Sequence, residues 1–86
     1  MIRSLADVPA GSKVLVVEVT GGLGAKKRLL EMGLSPGSEV EVLINGFSGP
    51  VVVKVRGVTA ALGRGLAVKV LVKPREENEK EVQYSE

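Results

Sequence analysis

The chain has 86 residues, a formal net charge of +2, 44% hydrophobic side chains, and neither Cys nor His. That length makes one domain. The missing residue types exclude disulfides, His- or Cys-ligated metal centres, thiol nucleophiles and histidine acid–base chemistry.

With a single Phe, a single Tyr and no Trp, the core has to be built from aliphatic side chains. The abundance of Val points to strands, because a branched Cβ packs well on a pleated surface. Eleven Gly and four Pro punctuate the chain at the intervals that short strands and tight turns need. Residues 1–73 carry ten basic and five acidic side chains, whereas residues 74–86 carry two and five. A basic body thus precedes an acidic tail. No apolar run reaches the ~18 residues of a membrane span. Met1 to Ala10 lacks the basic start and apolar run of a signal peptide, so the expected location is cytoplasmic, with no direct membrane insertion.

Ser4 to Gly11 reads as a short lead-in ending in a turn, and Lys13 to Val19 as a Val-rich strand. Three consecutive apolar residues, Leu15, Val16 and Val17, point to a bulge or to burial on both faces. After Thr20–Gly24, the segment Ala25–Met32 consists largely of good helix formers, with Ala25, Leu29 and Met32 on one face. Gly33 sits where a C-terminal cap needs positive φ. Ser35-Pro36-Gly37-Ser38 fits a type II turn.

Glu39–Asn45 and Pro50–Arg56 are expected to pair as an antiparallel hairpin in which residue numbers sum to 95. Val40, Val42 and Ile44 then face Val55, Val53 and Val51 on the inner side. Glu39, Glu41 and Leu43 face Arg56, Lys54 and Val52 on the outer side. Gly57–Thr59 reads as a turn and Ala60–Gly63 as one helical turn. Leu66–Lys73 reads as the last strand, with Val68, Val70 and Val72 inward and Ala67, Lys69, Leu71 and Lys73 outward. The tail from Pro74 to Glu86 is polar, which predicts disorder or a loose helix. The pattern is all-β with one short helix: a small barrel of four or five strands over residues 1–73, followed by a charged tail over 74–86.

No motif with catalytic chemistry emerges. The Gly21–Lys27 stretch lacks the spacing of a phosphate loop or a dinucleotide fingerprint. Nucleic-acid binding would use the basic body, but base stacking needs aromatics. Phe47, at the hairpin tip, is the only one in the body. Glu39 and Glu41 face cations across the hairpin and read as a surface ladder rather than a cation site. What remains is apolar surface pointing outward. Leu43, Val52 and Leu71 on the strands, with Lys26, Lys27 and Leu30 on the helix, are the candidate partner-binding residues; no catalytic, cofactor or metal residue is nominated. Open sheet edges and these outward side chains are equally compatible with self-association.

The run from Arg28 to Val42, Arg-Leu-Leu-Glu-Met-Gly-Leu-Ser-Pro-Gly-Ser-Glu-Val-Glu-Val, is similar to the signature of the FeoA family of ferrous iron transport accessory proteins. Leu5, Pro9-Ala10-Gly11 and Gly21-Gly22 resemble the family's first half. Gly49-Pro50, Arg56-Gly57, Ala60-Ala61-Leu62 and Ala67 resemble its second. The resemblance spans about residues 4–73. It implies an SH3-like barrel with a helix between the first two main strands, and a small cytoplasmic, non-enzymatic protein without a cofactor. The partner it implies is the cytoplasmic GTPase region of a FeoB-type membrane transporter. The alternatives are a nucleic-acid-binding small barrel and a stand-alone relative of the SH3-like domain of metal-dependent repressors.

Overall fold

The computed structural model describes residues 1–46 and 48–75. The expectations placed on Phe47 and on the tail beyond Arg75 therefore lie outside the described residues. Six strands form one antiparallel sheet: β1 (Arg3–Ser4), β2 (Lys13–Val19), β3 (Glu39–Ile44), β4 (Val51–Val55), β5 (Val58–Leu62) and β6 (Val70–Pro74). Helix α1 (Leu23–Glu31) joins β2 to β3, and a single turn of helix, α2 (Arg64–Ala67), joins β5 to β6. The spatial order is β1-β6-β2-β3-β4-β5. The sheet curls around a wholly aliphatic core that includes Leu5, Val16, Leu29, Leu34, Val42, Val53, Leu62 and Val72, with no buried polar side chain among the described residues.

The long strand β2 reads as expected and carries its bulge: its pairing with β6 slips between Val16 and Glu18. One extra residue there lets a run of three apolar side chains serve a curved sheet. The helix ends as its sequence dictates. Gly33 adopts φ +90°. Its N–H donates to the Leu30 carbonyl at 2.9 Å, and the Leu34 N–H donates to Leu29 at 3.0 Å, the paired bonds of a Schellman cap. The Ser35–Ser38 turn forms, with the Ser38 N–H on the Ser35 carbonyl at 2.9 Å. The Ser38 hydroxyl also donates to the Gly33 carbonyl at 2.8 Å, tying the turn to the helix end.

The central hairpin keeps the expected register through Glu41 opposite Lys54 and Val42 opposite Val53. A bulge then places Ile44, not Leu43, opposite Val52. Ile44 is therefore not a core residue facing Val51; it is 58% exposed. Strict alternation cannot anticipate an extra residue, which moves every later side chain to the other face. The expected pairing of Glu39 with Arg56 also fails. Arg56 leaves the strand for a turn, and the Glu39 carboxylate is instead held by the Arg75 guanidinium at 2.7 Å, the one ion pair among the described residues.

The largest departure lies in residues 57–69. Val58–Leu62 is a strand, not a turn followed by a helical turn, and it pairs with β4 without a slip from Val55–Val58 to Val51–Leu62. The helical turn falls four residues later, at Arg64–Ala67, so the last strand starts at Val70 rather than Leu66. In consequence Ala67 is buried instead of outward and Val68 is exposed instead of inward. The two-residue connection of β4 to β5, Arg56-Gly57, has positive φ at both positions, 54° and 79°. This is the type I′ geometry that matches strand twist. A side chain in the left-handed region costs about 1 kcal/mol. Arg56→Gly is therefore expected to raise stability by up to about 1 kcal/mol, less the entropy Gly loses on folding. Chemical denaturation with an unchanged m-value would measure it.

Candidate partner-binding site

Helix α1 follows from its flanks. Gly22 opens it without a side-chain cap, and no acidic residue lies in its first turn. It docks through Leu29, which is fully buried, while Ala25 and Met32 are half-buried. Its exposed positions include Leu23, 88% exposed, and Leu30, 60% exposed, with Lys26 and Lys27 on the same flank and Arg28 on the other. Lys26, Lys27 and Leu30 are thus brought together as one basic and apolar face.

The other three nominated residues lie elsewhere. Leu43 sits in the β3 bulge at the exposed end of the hairpin. Val52 is half-buried between Ile44 and Ala61. Leu71 is half-buried on β6, opposite Ser4 and Glu18. Because β2 runs between β6 and β3, Leu71 does not share a patch with Leu43 and Val52.

Leu30 also belongs to a feature the sequence did not reveal. Between the end of α1 and the β4–β5 hairpin lies a cleft of about 310 Å³, walled by Leu30, Met32, Leu34, Val55, Val58 and Ala60. Glu31 and Arg56 are the charged residues at its margin. Met32 and Leu34 reach it because the Schellman cap reverses the chain, and Val58 and Ala60 because β5 is a strand. Val58 is 65% exposed there. An apolar recess bounded by a basic helix fits an aliphatic side chain of a partner rather than a polar substrate.

Two polar regions serve other purposes. A wider cleft of about 590 Å³ is lined by Lys13, Ser38, Glu39, Glu41, Lys54 and Arg56 among others. Lys13, Glu41 and Lys54 alternate in sign across three strands, an exposed arrangement worth little energetically. The second is a clamp that sequence reasoning missed. The Arg64 guanidinium donates to the Asn45 Oδ1 at 2.9 Å, the Gly49 carbonyl at 3.1 Å and the Ala6 carbonyl at 3.3 Å. Asn45 Nδ2 donates to the carbonyls of Ala6 at 2.9 Å and Val8 at 2.7 Å. All five of these bonds end on the chain's own backbone or side chains, which makes it a structural tie. Among the described residues no three carboxylates gather as a metal site, and no helix is long and apolar enough to cross a membrane.

Comparison with known proteins agrees with this architecture. The FeoA domain model matches residues 3–74. A protein of Methanocaldococcus jannaschii, provisionally named Fe(2+) transport protein A, is 42% identical over 79 residues, covering 88% of this chain and 95% of its own. The crystal structure of an iron uptake regulatory protein, FeoA, superposes with a TM-score of 0.84 at 39% identity, over 87% of this chain and 100% of that one. The zinc complex of Stenotrophomonas maltophilia FeoA, described as a procaryotic SH3 domain protein, gives 0.73 at 27% identity, over 81% and 88%. A six-stranded SH3-like barrel with α1 between its first two long strands, matched along nearly its whole described length, places this chain in the FeoA family.

Proposed function

We propose that this protein is a cytoplasmic, non-catalytic accessory factor of ferrous iron uptake that acts by binding the cytoplasmic GTPase region of a FeoB-type transporter. The observation that carries the reading is the apolar cleft beside Leu30, whose helix also exposes Lys26 and Lys27 one turn before Leu30. It offers a recess for a partner side chain, and the basic exposed face of α1 offers a positive field for steering. Among the described residues no constellation of groups able to move protons or attack a substrate accompanies it. Membership of an iron transport family supplies the class of partner. The cleft side of α1, centred on Leu30, is the proposed contact, with Lys26 and Lys27 one helical turn before it. Leu43, Val52 and Leu71 fall outside it as secondary candidates.

Burying one Leu side chain contributes about 1.5–3 kcal/mol, which is roughly 10- to 150-fold in affinity. Leu30→Glu is therefore expected to weaken binding to the purified cytoplasmic region at least tenfold in calorimetric titration. Its melting midpoint should stay near that of the parent, because Leu30 is exposed. Lys26→Glu is expected to slow association and reduce its salt dependence. A folded parent that shows no binding at high micromolar concentration would sink the reading.

A further inference from the structure

Among the described residues strand β5 ends the sheet: it pairs with β4 and with no other strand. The two-residue turn before it sets the phase of its hydrogen bonds. Val55 and Val58 exchange backbone bonds, as do Val53 with Ala60 and Val51 with Leu62. Thr59 and Ala61 therefore turn their N–H and C=O groups away from β4, and both residues are exposed. No turn, loop or cap bond in the described chain uses those groups.

The two edges of this sheet are treated differently. The other edge, β1, is two residues long and bears Arg3. Short length and charge are the ordinary protections against strand addition. β5 has five residues, Val-Thr-Ala-Ala-Leu, with no charge, no Pro and no bulge. Val58 and Ala60 of this bare edge also wall the apolar cleft, opposite Leu30 and Met32. A strand laid along β5 would thus have alternate side chains over the cleft.

Resting on the proposal that the cleft receives the transporter, we infer that β5 is a strand-addition site for an extended partner segment with aliphatic residues at alternate positions and carboxylates at its ends. The carboxylates follow from charge. Helix α1, whose end walls the cleft, exposes Lys26, Lys27 and Arg28 against Glu31 alone, and Arg56 lines the cleft at the β4–β5 turn. A second copy of this chain is disfavoured on the same ground, since pairing two β5 edges would bring two such cationic sets together.

The test follows amide hydrogen exchange of Thr59 and Ala61 by NMR in the full chain. Two ligands are used: the transporter's cytoplasmic region, and the probe peptide acetyl-Glu-Glu-Thr-Leu-Thr-Leu-Thr-Glu-Glu-amide. The expected result with either ligand is exchange at both amides slowed by about tenfold or more. A peptide N-methylated along its pairing edge should give no slowing. Thr59→Pro removes an outward donor without touching the β4 ladder and should weaken binding about tenfold, whereas Thr59→Val should not. If Thr59→Pro does not fold, the N-methylated peptide decides. Transporter binding that Leu30→Glu weakens, with exchange at Thr59 and Ala61 unchanged, would overturn strand addition and leave the proposed function standing. Protection by the probe peptide, with no transporter binding, would support the edge site and remove the transporter reading. Protection that rises with protein concentration alone would overturn the inference in favour of self-pairing, and no protection with either ligand would overturn it outright.

Discussion

Leu29→Ala is expected to cost about 3 kcal/mol of stability and to lower the melting midpoint by roughly 15 °C for a domain of this size. Helix α1 has nine residues, too few to hold together in water without tertiary packing. Its start is weak as well, since Gly22 offers no capping side chain and the first turn has no acid to meet the helix dipole. What remains is docking, and Leu29 is the one α1 side chain fully buried in the core. Truncating it removes the transfer free energy of three carbons and leaves a void that the surrounding Val side chains are too short and stiff to fill. The neighbouring variant Leu30→Ala supplies the control. Leu30 is exposed, so its truncation should stay within about 0.5 kcal/mol of the parent. Thermal melts of the two variants, with amide exchange across Ala25–Met32, check the argument. Equal melting midpoints would show that α1 is not held by its Leu29 anchor.

The same contrast explains what could be read from sequence. Leu29 and Gly33 were legible because helical spacing and a Gly-based cap are local signals, satisfied within a few residues. So was the start of the central hairpin, where Glu41 opposite Lys54 and Val42 opposite Val53 leave one good register. Strand β5 was not legible. Its Ala-Ala pair carries little β propensity, and its turn has Arg where Asn or Gly would normally announce positive φ. The bulge before Ile44 was hidden for a related reason: it follows from curling the sheet, which no pairwise match of neighbours contains. Leu30 was found as a helix residue off the buried stripe. The cleft it serves was not, because the other walls come from Met32, Leu34, Val55, Val58 and Ala60, and two of those five depend on the unrecognised strand.

Asn45→Ala is expected to destabilise the barrel by about 2 kcal/mol, the second largest effect of a single substitution. The side chain makes three hydrogen bonds that join segments far apart in sequence. Nδ2 serves the carbonyls of Ala6 and Val8, and Oδ1 accepts from the Arg64 guanidinium. Each such bond contributes about 0.5–1.5 kcal/mol net, and more where one partner is charged. The site is half-buried, so water replaces part of what is lost and the sum is discounted. Arg64→Ala breaks the shared bond and its own contacts to Gly49 and Ala6. The double variant is therefore expected to cost less than the two singles added together, by about 0.5–1 kcal/mol. Asn45→Asp separates the contributions. If the bond to Arg64 dominated, a carboxylate would match or improve on the amide, because an ionised acceptor strengthens it. If the two backbone carbonyls dominate, the aspartate oxygen that replaces Nδ2 faces two acceptors with no hydrogen to offer. With two of the three bonds donated by Nδ2, at 2.9 and 2.7 Å, Asn45→Asp is expected to be at least as unstable as Asn45→Ala in urea denaturation near neutral pH.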